Sequence, residues 1–343
     1  MLVLAGDVGG TKTAVALIEV GPRRLKVQRA RRYASSEHGS LEEILEAFLR
    51  GERRRPRAAG FGVAGPVVQG RARVTKLPWT IEARRLARRT RIEIVALVND
   101  FVAAALGLPY LTRRQFALLA QGEAEPGGPI ALLGAGTGLG QAALMAVRGR
   151  YEPLASEGGH ADFGPRTPLE DRLLRFLRRK HGRVDRDRIL SGGGLASIYD
   201  FLRVTRKTPQ NPKVLRAFQT EDRAAVVSRF ALANQDALCQ QALRLFVSIY
   251  GSEAGNLALQ YRATGGVYVV GGIAPKILPA LLSGEFLEAF RDKPPLEALL
   301  RKVPIKIVLE PRLPLFGAAA AAYRTAIEMT RPSSKIRRRL ART

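Results

Sequence analysis

The chain has 343 residues, 46% hydrophobic and 25% charged, and its 56 Lys and Arg against 30 Asp and Glu give a formal net charge of +26. That length suits two ordinary domains with cores of their own, and the apolar fraction without any Gly-X-Y period excludes a disordered or collagen-like chain. Cys239 is the single cysteine, which excludes a disulfide scaffold and fits a reducing compartment; among Ala and Leu it reads as a small buried hydrophobe.

Strand and helix signals alternate along the chain, which predicts an α/β protein. Leu2 to Gly6 reads as a short apolar strand, Gly9-Gly10 as a turn and Thr13 to Val20 as a second strand, with the spacing of a hairpin. Leu41 to Leu49 reads as a helix, since Leu41, Ile44, Leu45 and Phe48 share one face and Ser40 with Glu43 forms a capping box. Phe61 to Ala64 and Ile92 to Val98 read as further strands, and Val102 to Leu106 as a helix. A second copy of the opening pattern follows: strand Ile130 to Leu133, glycine turn Gly134 to Gly140, and a strand to Val147. Two such hairpins in one chain predict a duplicated α/β unit, hence two lobes facing a central cleft. Beyond lie a loop at Lys207 to Pro212, a long buried helix at Ala237 to Gln260 and a buried strand at Val267 to Val270. That strand runs into Gly271-Gly272-Ile273-Ala274-Pro275, where Pro275 suits a first helical turn. Ile305 to Leu309 reads as a strand and Gly317 to Met329 as a closing helix.

No apolar run reaches the roughly 18 residues of a membrane span, and Met1-Leu2-Val3-Leu4-Ala5 offers neither a basic segment nor a cleavage site. The expectation is a soluble cytoplasmic protein without a membrane partner. The arginines are dispersed, at Arg53-Arg54-Arg55, Arg84-Arg85, Arg88-Arg89, Arg113-Arg114 and Arg178-Arg179, without the interleaved aromatics of a single-strand platform. They cluster most in the tail, with Arg331, Lys335, Arg337, Arg338, Arg339 and Arg342. A solvated basic surface with a frayed tail is expected, with contact to nucleic acid or another polyanion as the alternative.

Four constellations bear chemistry. Asp7 ends a buried strand and precedes Val8-Gly9-Gly10-Thr11-Lys12-Thr13; glycine lets backbone N–H groups approach phosphate, and a strand-end carboxylate suits hydrated Mg²⁺, although Asp-x-Gly-Gly is also a good hairpin turn. Gly134 to Gly140 has four glycines in seven residues and no acid, so it reads as a second phosphate turn or as a plain glycine hairpin, and as neither a Walker A loop nor a Rossmann fingerprint. Asn99-Asp100 follows a strand's carboxyl end, where the pair projects toward a ligand or caps the next helix. Glu157 and His160 flank Gly158-Gly159, in a turn that converges both on a small polyol or is merely solvated. Further ligands of the type that would make His160 a zinc site are not evident, and His38 and His181 read as surface histidines.

In order along the chain, GDVGGTKT (6–13), AGPV (64–67), LPW (77–79), VNDF (98–101), GAGTGLG (134–140), SEGGHADFGP (156–165), RILSGGGL (188–195), AGNLAL (254–259) and VGGIAP (270–275) resemble the bacterial glucokinases of the hexokinase, actin and Hsp70-like ATPase superfamily. The resemblance implies a two-lobed actin-like (ribonuclease H-like) fold: a small lobe at 1–110 with 316–332, a large lobe at 111–315, and a basic tail at 333–343. It implies transfer of the γ-phosphoryl of ATP to the 6-hydroxyl of glucose with Mg²⁺, in the first step of glycolysis. Asp100 looks like the general base, and Asn99, Glu157, His160 and Asp187 like sugar ligands. Asp7, Gly9, Gly10, Thr11 and Lys12 look like the first phosphate and magnesium loop, Gly136, Thr137 and Gly138 the second, and Gly271 and Gly272 the adenosine wall. A homodimer through the long helix is implied as well. The chain departs from the family pattern at Asp187, where Glu is usual, at Thr75-Lys76, where Thr-Asn is commoner, and at Lys12, where many members carry Asn. The cysteine-rich zinc signature of the ROK sugar kinases is absent. A kinase for another hexose, such as mannose or an amino sugar, and a non-catalytic sugar sensor are the alternatives.

Overall fold

The computed structural model describes residues 1–22, 24–206 and 209–330; the basic tail, and the first two residues of the loop at 207–212, lie outside them. The chain forms two compact units, one of Met1–Arg113 together with the segment from Arg312 onward, the other of Arg114–Pro311.

In the first unit β1 (Leu2–Val8) is central, pairing antiparallel with β2 (Lys12–Val20), which pairs with β3 (Leu25–Ala34). Then come α1 (Leu41–Leu49), β4 (Ala58–Val63), parallel to β1, and a small sheet of β5 (Val67–Val68), β6 (Arg71–Arg73) and β7 (Thr80–Glu82). α2 (Ala83–Thr90), β8 (Ile94–Asn99) and α3 (Asp100–Gly107) follow, giving the order β3-β2-β1-β4-β8. β1 is apolar on both faces because both are covered. Leu4 and Val8 pack with Leu41, Ile44, Leu45 and Phe48 of α1, whereas Val3 and Ala5 pack with Leu315, Ala318, Ala319 and Ala322 of the C-terminal helix, Leu313–Thr330. Small residues allow that helix to come close. A Cβ on Gly60 would overlap the Ala318 carbonyl, one on Gly317 the Ala103 carbonyl, and one on Gly107 would stand 2.5 Å from the Leu313 oxygen. The fit clamps α3, and with it Asp100 at its first position.

The second unit contains β9 (Phe116–Ala120), β10 (Ile130–Ala135), β11 (Leu139–Val147) and β12 (Arg150–Ser156), then α4 (Pro168–His181), α5 (Gly192–Arg206), α6 (Pro212–Thr220), α7 (Arg223–Leu232) and α8 (Ala237–Tyr261). β13 (Gly266–Val270), α9 (Leu278–Leu281), α10 (Glu285–Arg291), α11 (Glu297–Lys302) and β14 (Ile305–Val308) complete it. Its sheet order is β12-β11-β10-β13-β14-β9. β10 pairs antiparallel with β11 and parallel with β13, as β1 does with β2 and β4, so the duplicated glycine hairpin is a duplicated sheet topology. α8 is buried along most of its length and carries Cys239 at 0% exposure. Gly251 and Gly255 admit α10 so closely that a Cβ would strike the Phe286 and Phe290 carbonyls.

Several local expectations change. The capping box is half formed: Ser40 Oγ accepts from the Glu43 N–H, but the Glu43 carboxylate returns to the Gly39 N–H and to His38 Nδ1 instead of to Ser40. The second glycine turn is only Gly136 to Gly138, since Gly134 and Gly140 are paired across the hairpin. Pro275 enters a 3₁₀ turn, Ala274–Ile277, and not an α-helix. His38 and His181 are partly exposed, as expected of surface groups, but each is held by a neighbour, His38 edge-on to Tyr33 and His181 3.1 Å from Arg188.

Candidate active site

At the end of β1 the chain turns tightly, with the Gly9 N–H donating to the Lys12 carbonyl at 3.1 Å. Gly10 is pressed against the backbone of Thr75, whose oxygen would lie 2.6 Å from an added Cβ, and Lys76 beside it adopts φ 69°, the left-handed region that Asn tolerates better than Lys. Thr11 and Lys12 are exposed. Ser35 braces the turn from behind: its Oγ donates to the Gly9 carbonyl (2.9 Å), lies 2.9 Å from the buried Thr13 hydroxyl, and its N–H donates to the Thr11 carbonyl (3.0 Å). Ser35 was invisible in the sequence because it lies 26 residues from Gly9.

Asp7 is electrostatically frustrated. Desolvation, and then the negative charge of Asp100, push its carboxyl up to about 7, against a smaller lowering by Arg32. Some of the residue's surface meets water, but its carboxyl is packed away. The two acids therefore feel one another. Asp100 is the first residue of α3, and its Oδ1 accepts from the Phe101 N–H at 2.8 Å. Asn99 caps the helix, accepting from Phe101 (2.9 Å) and Val102 (3.3 Å) and donating from Nδ2 to the Gly65 carbonyl (3.3 Å). This cap fixes the direction in which α3 presents Asp100.

In the second unit Gly136 closes its turn by donating to the Gly138 carbonyl (2.8 Å), and the Gly136 carbonyl accepts from the Gly192 N–H (3.0 Å) at the start of α5. The turn thereby adjoins a helix N-terminus, a favourable setting for an anion. Thr137 is exposed at its tip. Gly271, at φ 89°, lies against Ala135, whose carbonyl accepts from the Ile273 N–H at 3.3 Å, so Gly271 and the exposed Gly272 flank the same turn. Asp187 is joined to it too: its Oδ1 accepts from the Leu139 N–H at 2.6 Å, so close to Gly138 that a Cβ there would overlap the carboxylate.

Glu157 precedes a 3₁₀ turn, Gly158–His160. The Asp187 N–H donates to the Gly159 carbonyl (2.8 Å) and the Arg186 N–H to the Ala161 carbonyl (3.0 Å), stitching the segment 185–187 onto this turn. Both Glu157 and His160 are exposed. His160 Nδ1 pairs with Asp185 Oδ2 at 3.1 Å, which raises the imidazole pKa, with the Asp187, Asp185 and Glu157 charges assisting against desolvation. Ligand atoms of His160, Asp185 and Asp187 all lie within 4.8 Å of one another, so the neighbours that spacing did not reveal are two acids on one short segment. Asp185 was missed because its partner, His160, lies 25 residues away along the chain.

The duplicated α/β sheet and the relatives that share it define an ATP-dependent sugar kinase of the actin-like ATPase fold. The chain superposes with TM-score 0.83 on the crystal structure of a glucokinase from an Antarctic psychrotroph, at 30% identity over 94% of this chain and 99% of that one. It superposes with TM-score 0.79 on the glucokinase of Balamuthia mandrillaris in complex with glucose, at 20% identity over 94% and 93% of the two chains, a likeness of fold. It is 40% identical over 339 residues to the glucokinase of Nostoc sp. (strain PCC 7120 / SAG 25.82 / UTEX 2576), covering 94% of this chain and 99% of the relative. The glucokinase family model matches residues 4–325, and the chain belongs to that family. Its reaction is the phosphorylation of glucose by ATP. Among the described residues no helix is long and apolar enough to cross a membrane.

Proposed function

We propose that Asp100 is the general base that takes the proton of the glucose 6-hydroxyl as that oxygen attacks the γ-phosphorus of ATP. The observation that carries this reading is the placement of Asp100 at the first turn of α3, behind the Asn99 cap and within the electrostatic reach of Asp7. Asn99, Glu157, His160 and Asp187 are proposed as hydroxyl ligands, because desolvated carboxylates and amides reject analogues that lack the matching hydroxyl. His160 is held for this by Asp185.

The turn Gly9 to Lys12 and the turn Gly136 to Gly138 are proposed to hold phosphoryl oxygens through backbone N–H groups, with Gly271 and Gly272 walling the adenosine. Phosphoryl transfer asks chiefly for positioning and charge neutralisation, which this chain supplies through N–H donors, Lys12 and a carboxylate. Asp7 fits a hydrated Mg²⁺, since a hard cation prefers oxygen ligands and a carboxyl pushed up by burial and then by a like charge gains from one. When bound, Mg²⁺ neutralises charge developing on the transferred group. A cytoplasmic homodimer remains part of the proposal.

A coupled assay with glucose, mannose and glucosamine tests it. Turnover with glucose should fall by about 10² to 10⁴ in Asp100→Asn. Retention of wild-type turnover by that variant, or glucose binding without turnover on any hexose, refutes it.

A further inference from the structure

We infer that Glu253, buried in the middle of α8, is a positioning residue for the sugar site, acting through Arg186 and Gln141. The inference rests on the assignment of Glu157, His160 and Asp187 as sugar ligands.

A carboxylate at 4% exposure inside a helix requires partners. Glu253 has three: Arg186 Nη1 at 2.9 Å, Gln141 Nε2 donating at 2.7 Å, and Asn256 Nδ2 donating at 3.1 Å. Two of these lead to the sugar segment. Arg186 stands between Asp185, which holds His160, and Asp187; its backbone N–H is bonded to Ala161, and its Nη1 also faces the Gly158 carbonyl at 3.5 Å. Gln141, on β11, lies directly beneath Gly158, where its Oε1 would overlap any Cβ and has no hydrogen-bond partner among the described residues. One buried carboxylate thus fixes the underside of the turn 157–160 and the middle of the segment 185–187.

The same helix reaches the phosphate turn by a separate route. Three residues before Glu253, the hydroxyl of Tyr250 accepts from the Ala135 N–H at 3.0 Å. α8 is anchored by the close approach of Gly251 and Gly255 to α10, where Phe286 also meets the Tyr250 ring, so Tyr250 and Glu253 project from a rigid strut. Because the Tyr250 contact to Ala135 does not pass through Arg186 or Gln141, and among the described residues only Asp187 links the segment 185–187 to the phosphate turn, disturbance of Glu253 should be felt far more at the sugar than at the nucleotide.

The test is Glu253→Gln, which keeps the shape and removes the charge from Arg186. The KM for glucose should rise about tenfold or more while the KM for ATP stays within about twofold, because a positioning loss confined to one substrate appears in that substrate's binding. Combining it with Arg186→Met should add less than the two single effects together, since both variants break one coupled unit. Should Glu253→Gln fail to fold, Arg186→Lys carries the same measurement, because it keeps the charge and loses the forked geometry. His160→Ala is run beside them. If it raises the KM for glucose and neither Glu253→Gln nor Arg186→Lys does, or if the KM for ATP rises equally, the role of Glu253 is refuted and the sugar assignment stands. If His160→Ala and Asp187→Asn both leave the KM for glucose unchanged, the sugar assignment falls and the inference falls with it.

Discussion

Replacing Asp7 by Asn should make the ligand-free protein more stable while removing its activity. The carboxyl is pushed up from 3.8 to about 7 by burial and by Asp100. At about 1.4 kcal/mol for each tenfold change in proton affinity, ionisation in the folded chain is disfavoured by up to about 4 kcal/mol. The folded pKa lies above the unfolded one, so between those two values the folded state holds a proton that the unfolded chain has released. Wild-type stability therefore falls as pH rises from about 4 to about 7, then levels off. Asn has no proton to lose, so its advantage should be about 4 kcal/mol at pH 8 and below about 2 kcal/mol at pH 5. Trp79, the only tryptophan, is buried in the same unit, and its fluorescence reports urea unfolding of that unit alone. With a slope of about 1–3 kcal/mol per molar urea, the midpoint should move up by about 1 M or more at pH 8. Turnover should fall together with that gain, the exchange expected where a site keeps a strained charge for its chemistry. A variant less stable than wild type at pH 8, or an advantage equal at pH 5 and pH 8, refutes the reasoning.

Gly317→Ala should destabilise by about 3 kcal/mol or more, because the new methyl meets the Ala103 carbonyl and must part the C-terminal helix from α3; thermal melts check it, and a change below about 1 kcal/mol rejects it. Lys76→Asn should stabilise by up to about 1 kcal/mol, since φ 69° suits Asn, measured by the same urea titration. Gly138→Ala should drive Asp187 off the Leu139 N–H and raise the KM values of both substrates, measured by varying each in turn. Asp185→Asn should bring the His160 imidazole down toward its ordinary pKa, read by NMR titration. In the wild type the raised value means that His160 keeps its charge, and its pairing with Asp185, to higher pH than a free histidine, losing them only as pH climbs through that value.

What was legible in the sequence was what local periodicity encodes. α1 falls on Leu41–Leu49, as its apolar face requires, and α8 on Ala237–Tyr261. The strand β3 went unread because it lies at a sheet edge, where LKVQRARRYA can carry arginines on exposed positions and lose the apolar alternation. Glycine density overstated the second turn: Gly134 is crowded by Val270 and Gly140 is its partner across the strand pair, and the chain reverses at neither. Among site residues, those that speak through motifs were readable, whereas Ser35, Asp185 and Glu253 were not. Their meaning depends on partners 26, 25 and 112 residues away along the chain, and no local pattern records such a distance.

The duplication also explains why one turn carries its own acid and the other does not. Along the sequence Gly6-Asp7 opens the first glycine motif and Gly134-Ala135 the second, while by strand pairing Asp7 is level with Gly134. At the first turn the acid is part of the strand, where burial and the charge of Asp100 raise its carboxyl against a smaller lowering by Arg32, a setting in which a divalent cation is gained readily. At the second turn the strand position is alanine, its N–H is satisfied by the neutral Tyr250 hydroxyl, and the nearby carboxylate, Asp187, arrives from another segment already bonded to the Leu139 N–H. One hairpin topology, used twice, thus stands in two different electrostatic settings. Exchanging the two by placing Asp at 135 would bury a charge against Tyr250, with a cost of several kcal/mol and no cation-binding partner to relieve it.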